Sequence, residues 1–335
     1  PVPAGHDRFS WQEMKAVLGK LLPDDAKQLA GLDRASMSHL AINLCGSANA
    51  VSNLNAHVAN KMFPEHQIQP ITNGAHHITW TSGPMAELYD EQIVGWRKDP
   101  LLLSHAGRIP TSELVAARRK SRAILRDIVQ SMSGVKLHED RLTIGFARRF
   151  ATYKRADLVF HDLERLRQIG AARMQFVFAG KAHPKDEGGK ALIRKIHTAA
   201  KKLGDDIPVV FLEDYSMATG LAMTSGVDVW MNNPVRPMEA SGTSGMKAVM
   251  NGVPNCSILD GWWPEGCQHG VNGWAVGNSD DERDDERDNR DLLDSLESEV
   301  LPAWDSGDER WGSFCRAAIS TSARFTAARM LDEYV

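Results

Sequence analysis

The segment NNPVRPMEASGTSGMKAVMN, residues Asn232–Asn251, decides how the second half of this chain folds. It follows the short apolar run Val227–Met231, which predicts the end of a buried strand. Small residues then form a loop that lets backbone amides approach a ligand closely, and a helix beginning after such a loop favours anions. The small positions are Ser241, Gly242, Thr243, Ser244 and Gly245. The segment therefore predicts a strand, a ligand-binding loop and a helix.

Lys247 lies on the first turn of that predicted helix. Its neighbours Met246, Val249 and Met250 have the spacing of a buried helix face. A lysine held beside apolar side chains and an anion-binding loop can carry a carbonyl cofactor as a Schiff base. An ordinary capped helix with a solvated lysine explains the same spacing. The segment by itself leaves both interpretations open.

Strand-like and helix-like runs alternate from Arg141 onward, which predicts an α/β fold with a doubly wound parallel sheet. Ligands of such sheets bind beyond the carboxyl ends of the strands, where the residues of interest fall. The predicted strands are Leu142–Ala147, Gln175–Ala179, Val209–Leu212, Val227–Met231 and Asn255–Leu259, and the predicted helices between them include Arg155–Gln168 and Gly189–Lys202.

The composition excludes several classes of protein. Hydrophobic residues make up 42% of the 335 positions and charged residues 24%, which is typical of a globular protein. A net charge of −4 argues against a general nucleic-acid binder. The apolar runs fall short of the roughly 20 residues that span a bilayer. The four cysteines lack metal-binding spacing and indicate reduced thiols, so we expect a cytoplasmic protein.

A basic stretch follows the first predicted strand of the sheet. RRFATYKR, residues 148–155, places Arg148, Arg149, Lys154 and Arg155 at a strand-to-helix junction. Guanidinium groups offer a fork for phosphate oxygens and lysine a compact charge, so an anion site is expected there. A solvated basic turn accounts for the composition equally well.

The sequence EASGTSGMKAVMNG resembles the pyridoxal-phosphate segment of the α-glucan phosphorylases, the glycogen, starch and maltodextrin phosphorylase family. The resemblance implies that Lys247 carries pyridoxal 5′-phosphate. It also implies that Tyr215 meets the cofactor and that Arg148, which replaces a lysine of the family, lies beside it. The remaining implied cofactor contacts are Thr243, Ser244 and Gly245. Ser216 stands where animal and plant members have an arginine, which removes one anion contact.

The same resemblance assigns the substrate residues. Glu239 matches a glutamate that accepts a hydrogen bond from a glucose hydroxyl. Ser241 and Gly242 match residues that complete the sugar pocket. Asn73, in the motif TNG, matches an asparagine that reaches the glucosyl site, although Asn-Gly also signals a simple turn. Arg149 and Lys154 match residues that hold the phosphates. Arg149, Lys154 and Lys247 are thus the implied catalytic residues.

The implied activity is phosphorolysis of a terminal α-1,4-linked glucose. Inorganic phosphate and an α-1,4-glucan or maltodextrin are the substrates, and α-glucose 1-phosphate is released. The implied fold is the Rossmann-like second half of a two-domain GT-B glycosyltransferase. Residues 1–72 then form the helical tail of a truncated first domain, and residues 73–335 form the cofactor-bearing domain. The chain resembles a fragment of such an enzyme. The sequence leaves the oligomeric state open, and a homo-oligomer is one of the possibilities.

Three alternatives remain open from the residues. The first is a sugar-nucleotide glucosyltransferase of the same architecture, but such synthases have a second glutamate where this chain has Lys247. The second is a pyridoxal enzyme of transaminase type, which the sugar-pocket residues around the lysine disfavour. The third is a chain that binds cofactor or glucan without turning over.

Smaller features carry further expectations. Ser10 and Glu13 form a capping box that predicts a helix start. Apolar residues at helical spacing within Ser36–Phe63 predict one long buried helix. The tryptophans of the GWW and NGW motifs, Trp262, Trp263 and Trp274, offer either sugar-stacking surfaces or core packing.

Overall fold

A parallel sheet of six strands forms the centre of the chain. The structure is a computed structural model that describes Val2 and residues 5–335. Pro1, Pro3 and Ala4 of the opening PVPAGHDRF lie outside the described residues. The strands are β1 (Leu142–Ala147), β2 (Met174–Ala179), β3 (Val209–Leu212), β4 (Val229–Asn232), β5 (Asn255–Ile258) and β6 (Gly273–Val276). The α/β class predicted from the sequence is confirmed.

The strand order across the sheet is β3-β2-β1-β4-β5-β6, with neighbouring strands parallel throughout. The strands β1, β2 and β3 therefore follow one another towards one edge of the sheet, and β4, β5 and β6 follow one another towards the other edge. The direction of progression reverses between β1 and β4. Ile144 of β1 pairs with Phe176 of β2 on one side and with Val229 of β4 on the other. Such a reversal opens a crevice at the carboxyl ends of the strands, where α/β proteins bind ligands.

Helices cover both faces of the sheet. Successive side chains of a strand point to opposite sides, so each strand contributes residues to both cores. Phe146, Phe176 and Phe178 lie in the larger core cluster, which also contains residues of the helix Glu187–Leu203. Ala147, Val177 and Trp230 point to the other face and join a second cluster with residues of the helices Thr111–Ser133 and Met217–Gly226. Burial on both faces explains why the strands are nearly continuous hydrophobic runs.

Helices surround the sheet and fill the regions before and after it. The α-helices are α1 (Trp11–Leu18), α2 (Ala26–Ala30), α3 (Met37–Leu44), α4 (Asn53–Met62), α5 (His77–Trp80), α6 (Gly83–Gln92), α7 (Thr111–Ser133), α8 (Leu163–Gly170), α9 (Glu187–Leu203), α10 (Met217–Gly226), α11 (Thr243–Val249), α12 (Trp263–Gly266), α13 (Asp285–Ser295), α14 (Leu301–Asp305), α15 (Asp308–Ser322) and α16 (Ala327–Tyr334). Short 3₁₀ segments are Gly19–Leu21, Pro100–Arg108, Thr152–Lys154, Leu158–Phe160 and Ala323–Phe325, and a π-helical turn is Leu296–Val300.

The N-terminal region differs from the prediction of one long buried helix. Two helices, α3 and α4, occupy Ser36–Phe63, and the two-residue strand Asn49–Ala50 separates them. Ser52 caps α4 by accepting the Asn55 N–H at 3.1 Å, which fixes a new helix start inside the apolar pattern. Leu44 remains 66% exposed, so this part of the pattern does not face a core. The capping box at Ser10 and Glu13 is confirmed at α1.

A second difference concerns the predicted helix Arg155–Gln168. The chain instead runs through the two 3₁₀ segments Thr152–Lys154 and Leu158–Phe160 before α8 begins at Leu163. Arg155 adopts a left-handed conformation with φ 44°, and Asp162 caps α8 by accepting the Arg165 N–H at 2.9 Å. The irregular stretch turns the side chain of Lys154 inward, where it is 6% exposed.

The tryptophans of the two motifs belong to the core. Trp262, Trp263 and Trp274 are each at most 2% exposed, and Trp262 stacks edge-on against Phe325 at 4.5 Å between ring centroids. Core packing is therefore their role in this structure. All four cysteines are free thiols. Within the described ranges, every helix is too short or too polar to span a bilayer, and no cluster of three or more metal-ligating side chains occurs.

Candidate functional site

A buried cluster of charged side chains lies beyond the carboxyl ends of β1 and β4. Glu239 Oε2 lies 2.7 Å from Arg148 Nη2 and 2.7 Å from Lys154 Nζ. Each of these three residues is at most 9% exposed. Arg148 follows β1 directly, whereas Glu239 lies in the loop after β4, so the parallel pairing of the two strands brings them together. Predicted anion-site and sugar-site residues thus meet in one cluster.

Glycine at position 180 lets this cluster form. Gly180 ends β2 with φ 140°, and a Cβ atom there would lie 1.9 Å from the carbonyl oxygen of Arg148. The Arg148 N–H donates to the Ala179 carbonyl at 3.2 Å, and the Phe150 N–H donates to the Lys181 carbonyl at 3.0 Å. A larger residue would push the Arg148 backbone away from the β2 end. Gly180 therefore supports the backbone that positions Arg148.

Burial and mutual attraction shift the proton affinities of the cluster. Burial, together with the nearby Arg148, lowers the pKa of Lys154 to about 8. Burial acts to raise the pKa of Glu239, but Arg148 and Lys154 outweigh it and hold that pKa below its usual value. The carboxylate is therefore ionised at neutral pH, and the lysine titrates close to the physiological range.

Asp260, which sequence analysis did not single out, fixes the backbone at Glu239. It follows β5, and its Oδ2 accepts the Glu239 N–H at 2.9 Å, while its Oδ1 accepts the Gly261 N–H at 2.8 Å. Burial raises the pKa of Asp260 to about 7. A carboxyl at the end of a strand is the only signal of this role in the sequence, and it does not identify the partner.

The small-residue loop packs tightly against the segment that follows β5. Gly242 has φ 78° and precedes α11, and Arg148 Nη2 lies 3.8 Å from where its Cβ would be. A Cβ at Gly245 would lie 2.5 Å from Asn255 Oδ1, so only glycine fits there. The Ser241 carbonyl accepts the Trp262 N–H at 2.8 Å, whereas its buried hydroxyl has no partner. Ser244 Oγ accepts from Trp230 Nε1 at 3.2 Å.

Lys247 is half-buried on α11 and faces an aromatic ring. Its Nζ lies 3.6 Å from the ring centroid of Trp80, and burial lowers its pKa. Asn251 fixes this pair, because its Nδ2 donates to the Lys247 carbonyl at 2.9 Å and to the Trp80 carbonyl at 2.6 Å. Trp80 was not predicted as a site residue, since a lone tryptophan after the TNG motif does not indicate which helix it contacts. Lys247 is therefore half-buried against an aromatic ring and not fully solvated.

Three predicted site residues lie outside these contacts. Arg149 is exposed; its positive charge acts to lower the pKa of Tyr153, which burial nevertheless raises overall. Tyr215 is half-buried after β3 and packs beside Gly220 of α10. Asn73 donates its N–H to the Val51 carbonyl at 3.0 Å, and its own carbonyl accepts from Arg329 at 3.1 Å. The Asn73-Gly74 pair lies in an extended segment and not in a tight turn.

The N-terminal region contacts the loop through Ser52 and contacts α12 through Asn53 and Thr72. Ser52 Oγ donates to the Ala240 carbonyl at 2.8 Å, immediately after Glu239. Glu265 Oε1 accepts the Asn53 N–H at 2.9 Å and its Oε2 accepts the Thr72 hydroxyl at 2.8 Å. The start of α4 is thereby attached to the segment that packs on the loop.

Comparison with known proteins agrees with this geometry. A sequence model described as carbohydrate phosphorylase matches residues 23–265, which is more than half of the chain and includes the charged cluster, the loop and Lys247. The chain belongs to the carbohydrate phosphorylase family. The family resemblance carried by EASGTSGMKAVMNG is confirmed.

Relatives of this phosphorylase-family chain carry matching names. It is 38% identical to a maltodextrin phosphorylase of Thermococcus litoralis, an alignment that covers 100% of this chain and 45% of the relative. It is 39% identical to a glycogen phosphorylase of Aquifex aeolicus over 88% of this chain and 48% of the relative. A glycogen phosphorylase of Mycobacterium tuberculosis is 32% identical over 100% and 45%. The chain thus spans about half the length of these relatives.

Proposed function

We propose that this chain is the cofactor-bearing part of an α-1,4-glucan phosphorylase that releases α-glucose 1-phosphate. The observation that carries the proposal is the cluster of Glu239, Arg148 and Lys154 beside the loop that leads to Lys247. Two buried cations suit a phosphate, and a buried carboxylate suits a sugar hydroxyl. We further propose the finer architecture: residues 73–335 as the Rossmann-like second domain of a GT-B glycosyltransferase, residues 1–72 as the tail of the first, and a cytoplasmic location.

The residues present fit pyridoxal 5′-phosphate. Lys247 supplies an amine whose pKa burial lowers, so a larger share of it is uncharged and nucleophilic. Trp80 offers a ring face at this amine, and Thr243, Ser244 and Gly245 begin a helix whose N-terminus favours a phosphate. Arg148 Nη1 and Ser241 Oγ are buried polar atoms without partners among the described residues, and a bound ligand would satisfy them. We assign Tyr215 to the same pocket from the family resemblance.

The bound cofactor supplies a phosphate group that can exchange a proton with the substrate phosphate. The chain's own residues then have three tasks. Arg149 and Lys154 hold inorganic phosphate, and Arg148, which the family resemblance assigns to the cofactor, lies between the two anions and reduces their repulsion. Glu239, Ser241 and Gly242 bind the terminal glucose, and we assign Asn73 to the glucosyl site from the family resemblance. Buried walls exclude water, which favours transfer of the glucosyl group to phosphate over hydrolysis.

A reduction experiment tests the assignment of Lys247. The purified protein is loaded with pyridoxal phosphate, reduced with borohydride and digested, and the tagged peptide is identified by mass spectrometry. We expect the tag on Lys247 and its loss in Lys247→Arg, while Lys181→Arg, which changes an exposed lysine, keeps it. A tag on another lysine removes the cofactor assignment.

Activity tests separate the proposal from its two rivals. Production of glucose 1-phosphate from maltodextrin and phosphate is measured with this chain and with the full-length gene product. Activity in the full-length product alone assigns this chain a non-catalytic binding role when separated. A full-length protein that is colourless after loading and transfers glucose from a sugar nucleotide is a glucosyltransferase instead.

A further inference from the structure

One oxygen atom of Glu239 holds both cations of the proposed phosphate site. Glu239 Oε2 lies 2.7 Å from Arg148 Nη2 and 2.7 Å from Lys154 Nζ. The side chains of the two cations are only 6% and 7% exposed, so solvent screens the contacts weakly. The carboxylate therefore occupies one nitrogen of each cation that a phosphate would also contact.

The charges of the cluster do not balance. One carboxylate faces two cations, and Arg148 Nη1 and Ser241 Oγ have no hydrogen-bond partner. A tetrahedral dianion would satisfy these donors, but it brings two negative charges where only one is missing, so the cluster is neutral with a dianion only when the carboxylate has left. With the carboxylate still in place, however, two anions would lie against the same two cations, and like charges repel at such short range.

The backbone permits the side chain to leave without disturbing the loop. Asp260 holds the Glu239 N–H at 2.9 Å, and Ser52 holds the next carbonyl, that of Ala240, at 2.8 Å. Both contacts are to main-chain atoms, so rotation about the Glu239 side-chain bonds breaks neither. A released carboxylate becomes a free acceptor for a hydroxyl group.

We infer that Glu239 is an internal counter-ion that competes with phosphate for Arg148 and Lys154, and that phosphate binding frees it to accept a sugar hydroxyl. The inference rests on the proposed function and adds an order to it. Before phosphate binds, the Glu239 carboxylate compensates part of the positive charge of Arg148 and Lys154. Phosphate binding then releases this carboxylate to the sugar pocket. Phosphate and sugar should therefore bind with positive coupling, because each favours the released state of Glu239.

Sulfate binding to this chain, measured by calorimetry at pH 7, tests the competition. Sulfate is a tetrahedral dianion that does not titrate near this pH. We expect Glu239→Gln to lower the dissociation constant by about tenfold or more, because the competing charge is gone. Glu239→Asp has a shorter side chain that contacts the two cations less closely, so it should lower the dissociation constant by a smaller factor. This variant provides the test if Glu239→Gln does not fold.

Asp281→Asn is the matched control. It removes one negative charge that pairs with Arg236 at 3.1 Å, and it should leave the dissociation constant of sulfate within about twofold. An equal gain in Asp281→Asn and Glu239→Gln would mean that net charge alone attracts sulfate, and the inference would be wrong.

The outcomes distinguish this inference from the proposed function. If sulfate binds the wild type, is lost in Arg148→Met and is not tightened in Glu239→Gln, the phosphate site stands and the competition is refuted. If no variant binds sulfate, the proposed phosphate site itself fails. In the full-length protein, sulfate should tighten glucose binding several-fold, and this coupling should disappear in Glu239→Gln. Coupling that persists in that variant overturns the role of the released carboxylate.

Discussion

Two buried carboxylates lie at opposite ends of the same strand, and they are held very differently. Asp228 precedes β4 and contacts Arg122 at 3.2 Å and Arg118 at 3.8 Å. Glu239 follows β4 and contacts Arg148 and Lys154 at 2.7 Å each. Each carboxylate thus faces two cations in a low-dielectric environment.

The difference lies in whether the remaining donors are satisfied. Arg118 donates to the carbonyl oxygens of Ser225, Val227 and Asn251, and Asp228 Oδ2 accepts the Thr143 N–H at 2.9 Å. At the other end, Arg148 Nη1 has no partner. The first cluster is complete and joins α7 to the sheet, whereas the second has unused hydrogen-bonding capacity. An ion pair whose remaining donors all have partners is typical of a structural contact. An ion pair with a buried donor left over is typical of a ligand-binding site.

The strongest test of this contrast is Arg118→Met. The substitution leaves Asp228 buried with Arg122 as its one remaining cation and removes the Arg118 donors from three carbonyls, so we expect the free energy of unfolding to fall by about 3–5 kcal/mol. Urea denaturation measures it. Arg119→Met, which breaks an exposed pair with Asp308, should cost less than about 1 kcal/mol. Equal losses in the two variants would contradict a structural role for the buried cluster.

The pH dependence of Lys154 sharpens the comparison. Its pKa is about 8 in the folded protein and near 10.5 when unfolded, so between these values the unfolded state binds a proton that the folded state does not. The lysine therefore makes stability rise with pH in this window, by about 3 kcal/mol in total. The free energy of unfolding is measured for the wild type and for Lys154→Met from pH 7 to 10.5. The difference between the two proteins should change by this amount across the range. The contribution of the buried thiols is the same in both proteins and cancels in the difference.

Lys201→Met is the control for that experiment, since Lys201 is exposed on α9 and forms no ion pair with the residues that the structure describes. Its difference from the wild type should stay constant across the same pH range. A constant difference for Lys154→Met as well would show that the lysine amine is not shielded from solvent.

Arg148→Met should cost less stability than Arg118→Met, because Lys154 remains as a partner of Glu239. We expect a loss of about 2 kcal/mol together with loss of sulfate binding. Urea denaturation and calorimetry measure the two effects on one preparation. A loss of stability as large as that of Arg118→Met would make Arg148 a structural residue of the same kind.

The smallest effect is expected for Arg149→Met. Arg149 is exposed, so the free energy of unfolding should change by no more than about 0.5 kcal/mol. Sulfate binding should nevertheless weaken several-fold, because the positive charge acts on an anion at the cluster. Unchanged sulfate affinity would exclude Arg149 from the phosphate site.

Much of the architecture could be predicted from local patterns. The apolar runs located five of the six sheet strands, because a strand buried on both faces needs a continuous hydrophobic run. The long helix predicted within Ser36–Phe63 was wrong, since periodicity does not register the Ser52 cap that starts α4 there. Asp260 and Trp80 were missed because their partners lie on other elements of the fold.

The sequence alone determined the α/β class, the family and the identity of the residues in the small loop, because each of these depends on contiguous side chains. Only the tertiary structure decided which charges meet. It joined Glu239 to Arg148 and Lys154 across the reversal of strand order between β1 and β4, and it placed Lys247 against Trp80. The physical reason is that pairing of strands and packing of helices bring together residues that are distant in the chain, and ion pairs and burial depend on distance in space.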